Sequence, residues 1–158
     1  ELHQLARRIP DDLAELDRVL NRVYDGWKVG KNSPDDYHLD SVALNLHGFY
    51  SGLERIFERI AATVDGVKPK GENWHKALLQ QVSNEVPGVR PAVITQETCE
   101  RLEEYLGFRH IVRNVYVFKF DPTRIENLVM KASPLFLQIR EELLAFAKFL
   151  DEQGERNS

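Results

Sequence analysis

The stretch GFRHIVRNVYVFKFD, from Gly107 to Asp121, places Arg109, His110, Arg113, Asn114 and Tyr116 within a span of eight residues. The planar fork of an arginine matches phosphate oxygens. A histidine exchanges protons near neutral pH, and a tyrosine ring can stack on a base or offer its hydroxyl. Lys119 and Arg124 follow, so a local positive patch forms on a chain whose net charge is −4. The chemistry these types could do together is phosphate recognition with a proton carrier at hand. The same composition also allows a plain mixed-charge face turned to water.

The spacing around these residues is helical. At about 100° per residue, Arg113 falls about 40° and Tyr116 about −20° from Arg109, with His110 near 100° and Asn114 near 140°. Phe108, Ile111, Val112, Val115 and Phe118 take the other side. Leu102 and Leu106, upstream, project at about 20° and 60°, onto the arc that Arg109 and Arg113 occupy next. A line that enters a core with leucines and continues with arginines after Gly107 predicts a helix that reaches a cleft, a subunit interface or the surface. The piece VYVFKF is rich in β-forming residues, but its place at the end of a helical stripe favours helix.

The rest of the chain must position that segment. Leu13, Leu16, Leu20, Val23 and Trp27 form one stripe, extended upstream by Leu2, Leu5 and Ile9. Pro10 predicts that a helix starts there or that a longer one kinks. Ser33 as cap, Pro34 in the first turn and the acidic Asp35 and Asp36 predict a second start, and Val42, Leu46, Phe49, Leu53, Ile56, Ile60 and Val64 carry it to a stop at Asp65-Gly66. From Gly66 to Ile94 the composition turns to loop, with one short amphipathic piece, Trp74 to Val82, capped by Asn73. Thr95 caps the helix that carries Cys99, Leu102 and Leu106 towards Arg109. Asp121-Pro122 is both a stop and a start, and Ile125, Leu128, Ala132, Phe136, Ile139, Leu143, Phe146 and Leu150 form the last stripe, bent at Pro134. The expected fold is all-α: an up-and-down antiparallel helical bundle of four long helices plus a short one, in a single domain over residues 1–158.

Length and composition bound the function. A chain of 158 residues can bury about two-thirds of its unfolded surface and needs no staple. One cysteine, Cys99, excludes an internal disulfide framework, and it lies on an apolar stripe as a buried, inert thiol. With no apolar run near the roughly 20 residues a membrane helix needs and no basic-then-apolar leader, the expectation is a soluble cytoplasmic protein without membrane contact. No metal-ligand spacing, Gly-rich phosphate loop or serine elbow is present, so no metal or cofactor is expected. The acidic balance excludes a generally basic nucleic-acid coat and leaves only a local patch. His47, Tyr50 and Glu54 share one side of the second helix and could face the Arg109 helix, with Glu54 pairing an arginine; otherwise they form an exposed polar edge. Trp74 reads as a packing anchor, His75 as a polar rim residue and Trp27 as core.

The segment YLGFRHIVRNVYVFKFD resembles the signature of the HepT-like branch of the HEPN superfamily, all-helical toxins paired with minimal nucleotidyltransferase antitoxins. LNLHGFYSGLERIFERIA, GENWHKALLQQV and VPGVRPAVI resemble the same branch in the same order, so the likeness covers nearly the whole chain. The resemblance implies a metal-independent endoribonuclease acting on RNA as a homodimer, its two signature helices facing each other across a composite cleft, under control of a cognate nucleotidyltransferase. The family motif is an arginine, four to six residues, a histidine and, two residues on, a tyrosine. Arg109 and Tyr116 match, and Asn114 stands where the histidine belongs. As the resemblance implies it, the histidine assists attack of a ribose 2′-hydroxyl on the adjacent phosphate while the arginine stabilises the developing charge. Asparagine cannot exchange a proton near neutral pH, and such help is typically worth about 10² to 10⁴ in rate. His110, one turn earlier on the Asn114 side, is the local substitute, and Arg109 with Arg113 from two subunits could sustain an electrostatic mechanism.

The expected catalytic set is therefore Arg109, Asn114 and His110. Arg113, Tyr116 and Lys119 would hold phosphate or RNA, and His47, Tyr50 and Glu54 would support the cleft. The resemblance makes Tyr116 the acceptor of AMP from the partner enzyme. The competing reading is a catalytically weakened helical module that binds RNA, a nucleotide or a protein. A purely structural subunit is disfavoured, because burying arginines to no purpose costs several kcal/mol each by order of magnitude, roughly.

Overall fold

Periodicity of three and four becomes five α-helices in the computed structural model, which describes residues 1–33, 37–114 and 120–157. They are α1 (Leu2–Gly30), α2 (Tyr37–Ile60), α3 (Trp74–Val82), α4 (Gln96–Asn114) and α5 (Pro122–Arg156). Among the described residues the one β pairing is an isolated bridge between Val86 and Arg90, so the expected all-α, up-and-down antiparallel bundle is the fold. α1 packs along α2 and α5, α4 lies against α2 and α5, and the short α3 leans on α2 and α4. Apolar stripes from all five helices meet in one core cluster, with Val23, Val42, Phe49, Leu53, Leu102, Ile139 and Leu143 at its dry centre. No helix among the described residues is long and apolar enough to cross a membrane.

α1 resolves the choice posed at Pro10, since the helix runs through it. Proline inside a helix removes one hydrogen bond and crowds the previous turn, a cost of about 3 kcal/mol. Pro10 itself is exposed, while Ile9 and Leu13 on either side are almost fully buried, and that burial holds both halves to the same core. The stop at Asp65-Gly66 is made by a π turn, Ala61–Asp65, closed by Gly66 at φ 75. That left-handed conformation favours glycine. Asn73 occupies the N-cap position of α3 but its side chain makes no capping bond, a departure from the expected role. Asp121 does cap α5, accepting from the Thr123 amide at 3.0 Å, with Pro122 in the first turn. The first turn expected from Pro34, Asp35 and Asp36 lies outside the described residues.

The connection from α3 to α4 is far from a slack loop. Arg90, with a side chain wholly withdrawn from solvent, donates Nε to Asp65 Oδ1 at 2.6 Å and Nη2 to Asp65 Oδ2 at 2.8 Å. Its remaining donors reach the carbonyls of Asn84, Pro91 and Gln81 at 2.8, 3.0 and 3.1 Å. Gln81 adds a bond to Asp65 Oδ2 at 2.8 Å. Burial alone would push the Asp65 carboxyl up, but the bonds from Arg90 and Gln81 and the Arg90 charge outweigh it and hold the group below the usual carboxylate range. This clamp ties the end of α2 to the segment that leads into α4.

Candidate active site

α4 begins fixed and ends only partly packed against the core. Thr95 Oγ1 accepts from the Thr98 amide at 3.2 Å, as a cap should, and Thr98 Oγ1 donates to Glu142 Oε2 of α5 at 2.6 Å. Cys99, Leu102, Tyr105 and Phe108 are buried, and the Tyr105 hydroxyl donates to the Leu128 carbonyl at 2.6 Å. Burial raises the Cys99 thiol, which keeps it protonated and fits the inert role expected of it. After Phe108 the helix emerges: Arg109, Ile111 and Val112 are half-buried, and His110 and Arg113 are exposed. The leucine line does turn cationic as the helix leaves the bundle.

α2 supplies the facing wall. His47 is half-buried, and both its Nε2 and the Nε of Arg109 are shut from solvent without a hydrogen-bond partner. Burial first, then the charges of Arg109 and Arg113, hold the imidazole below the ordinary histidine range, so it is neutral at neutral pH. Three turns of two helices thus bring one imidazole and two guanidinium groups into a common field. Tyr50, one turn on, is buried beside them, and burial followed by the Glu54 charge raises its hydroxyl far above the usual tyrosine range. It serves as a neutral phenol.

Glu54 faces inward, as one of the two expectations had it, but it does not pair an arginine. It is buried rather than on an exposed edge, and its partner is His75 of α3, whose Nδ1 lies 2.7 Å from Glu54 Oε2. The reason is axial distance: seven residues of helix separate Glu54 from His47, about 10 Å, and Arg109 sits at the His47 end. α3 crosses α2 at the Glu54 level and presents His75 there, with its ring against Trp74 at a centroid distance of 3.7 Å. His75 is accordingly a structural partner of Glu54 instead of a rim residue. The two are 21 positions apart in the chain, and no short-range spacing announces the pair.

α5 adds one more cation. Arg124 lies over the Phe108 ring, 6.0 Å from its centroid, and its Nη2 would stand 3.6 Å from a Cβ at Gly107. A Cβ there would meet Arg124 only in ordinary contact, and Phe108 lies about 100° round α4 from Arg109, so Arg124 packs on a different face of the helix from the one that meets His47. The structure therefore brings together Arg109, Arg113, His47 and Tyr50, while Glu54 is paired with His75. Asn114 ends α4, and its side chain lies outside what is described, as do Tyr116 and Lys119.

A protein-family model, that of the HepT-like protein, matches residues 41–150, which span α2 from its second turn through most of α5 and include every described residue of this site. Comparisons with curated proteins and with solved structures found no match. The match covers well over half of the chain, and the segments that resemble the family all fall inside it. The chain belongs to the HepT-like family of the HEPN superfamily.

Proposed function

We propose that the protein is the endoribonuclease toxin of a toxin–antitoxin pair, cleaving RNA without metal in a cleft built where two copies bring their α4 ends together. The observation that carries this reading is Arg109: half-buried, its Nε unpartnered, set beside Arg113 and the neutral His47. A half-buried arginine with a donor left unmet has capacity for an oxyanion that the fold itself does not supply. In the reaction a ribose 2′-oxygen forms a bond to the adjacent phosphorus while the bond from phosphorus to the 5′-oxygen breaks. The 2′-hydroxyl loses its proton and the departing 5′-oxygen gains one. Arg109 and Arg113 stabilise the extra charge on the phosphate oxygens, Lys119 extends the cationic track, and His110 carries the proton that Asn114 cannot. Exposed Leu44 and Tyr37 on the His47 end of α2 offer apolar surface for the second copy.

Purified protein incubated with RNA in EDTA should cleave, and an Arg109→Ala variant should lose about 10²- to 10³-fold in rate, the typical effect of removing one oxyanion donor. Equal cleavage by both proteins, or none by either at high enzyme, sinks the reading.

Asn114 favours a second reading, a weakened module that binds RNA, a nucleotide or a protein without turnover. Asn114→His separates them: a gain of about 10²-fold or more marks a damaged catalytic site, since that is what acid–base help is worth. No gain from an otherwise folded variant favours binding. The family further suggests a nucleotidyltransferase partner that transfers AMP to Tyr116, releasing pyrophosphate from ATP as the tyrosyl oxygen bonds to the α-phosphorus. Intact mass should then rise by one adenylate with partner and ATP, and Tyr116→Phe should stay unlabelled.

A further inference from the structure

The surface of α5 that turns away from the core carries Met130, Leu137 and Leu144, which are 66%, 61% and 36% exposed and seven residues apart. At about 100° per residue the three lie within about 20° of one line. Extending the same line by four residues at each end meets exposed Glu126 before Met130 and exposed Lys148 after Leu144, again within about 20°. The result is a ridge about 33 Å long, apolar in the middle, acidic at one end and basic at the other.

Beside this ridge runs a groove of about 330 Å³ between α1 and α5, lined among others by Pro10, Asn21, Tyr24, Ser133 and Leu137. The Tyr24 hydroxyl is shut from solvent there with no hydrogen-bond partner. An exposed apolar ridge beside an open groove is surface that a partner would cover.

We propose that α5 docks against α5 of a second copy, antiparallel, about a twofold axis at Leu137. The pattern is self-complementary in that sense alone. Antiparallel packing sets Leu137 against its symmetry mate, Met130 against Leu144 and Glu126 against Lys148, twice over. Parallel packing would oppose Glu126 to Glu126 and Lys148 to Lys148. An isologous contact requires this relation, each residue meeting the partner of its partner, and opposite charges at the ends fix the register of an apolar seam. The surface lies apart from Arg109 and does not depend on the ribonuclease reading.

Sedimentation across a dilution series tests it. Leu137→Glu should halve the mass of the largest species, with an unchanged helical spectrum because the side chain is exposed. Glu126→Lys and Lys148→Glu should each weaken association about tenfold, and the double reversal should restore it. A wild-type chain that stays monomeric, a Leu137→Glu protein of unchanged mass, or a double reversal no better than the singles overturns the proposal. Loss of nucleotidyltransferase binding in Leu137→Glu at constant self-association would assign the ridge to that partner instead and overturn it equally.

Discussion

Arg90 and Arg109 both carry guanidinium groups into the bundle, and the fold treats them in opposite ways. Arg90 has every N–H donor matched: two bonds to the Asp65 carboxylate and three to carbonyls that converge on one point. Arg109 has a buried Nε with no acceptor, and its charge acts on the neutral His47 and the phenol of Tyr50. A buried polar group left unpaired costs about 1–3 kcal/mol, so a chain that can build the Arg90 clamp has no folding reason to leave Arg109 incomplete. The contrast separates an arginine that completes the fold from one that, on the proposed function, would meet an anion.

The largest stability effect should come from the clamp. Asp65→Ala strands a guanidinium that is wholly shielded from solvent, and breaking a buried pair in this way typically costs about 3–5 kcal/mol. Chemical denaturation should show that loss, while RNA cleavage per folded molecule, measured well below the melting point, stays near wild type. A loss under about 1 kcal/mol would mean that the clamp is no more than a surface-strength pair and would erase the contrast.

Arg109→Met should do the reverse. It keeps length and apolar contact while removing the unpaired Nε, so stability should move by less than about 1 kcal/mol in either direction. Cleavage should fall about 10²- to 10³-fold. Should the variant instead unfold, Arg109 would be a structural residue like Arg90, and its orphaned nitrogen would carry no functional meaning.

How much of this could be read beforehand follows the range of the interactions. Elements whose signals are local came through: the Thr95 cap, the Asp121-Pro122 junction, the stop at Asp65-Gly66 and the emergence of α4 after Phe108 all sit within a turn or two of the residues that cause them. Features set by distant partners did not. Asp65 and Arg90 are 25 residues apart, and Glu54 finds His75 across 21, with the intervening stretch reading only as loop. Pro10 shows the same lesson from the other side, because the local penalty for a mid-helix proline is overruled by burial of Ile9 and Leu13 against other helices. In the site, the three-and-four spacing of His47, Tyr50 and Glu54 does put all three on the inner side of α2, but which of them meets Arg109 depends on axial level, a quantity spacing within one helix does not contain.

The smallest and most discriminating effect concerns His47. Its folded pKa lies below the 6.5 of an unperturbed histidine, for burial first and then for Arg109 and Arg113. Between those two values the unfolded chain binds the proton more readily, so stability through this group rises with pH across that window and is constant above about 6.5. Acidification from neutral pH should therefore lower the melting temperature slightly more in the wild type than in His47→Gln. An anion seated between Arg109 and Arg113 reverses the electrostatic part of the shift, because it offsets the two charges that disfavour imidazolium. Nuclear magnetic resonance of the imidazole, titrated with and without a short uncleavable RNA, should show the His47 pKa move upward on binding, and Arg109→Met should move it upward without RNA. An RNA that binds yet leaves the titration curve in place would put the phosphate elsewhere, and would sever His47 from the arginines that otherwise define one anion site.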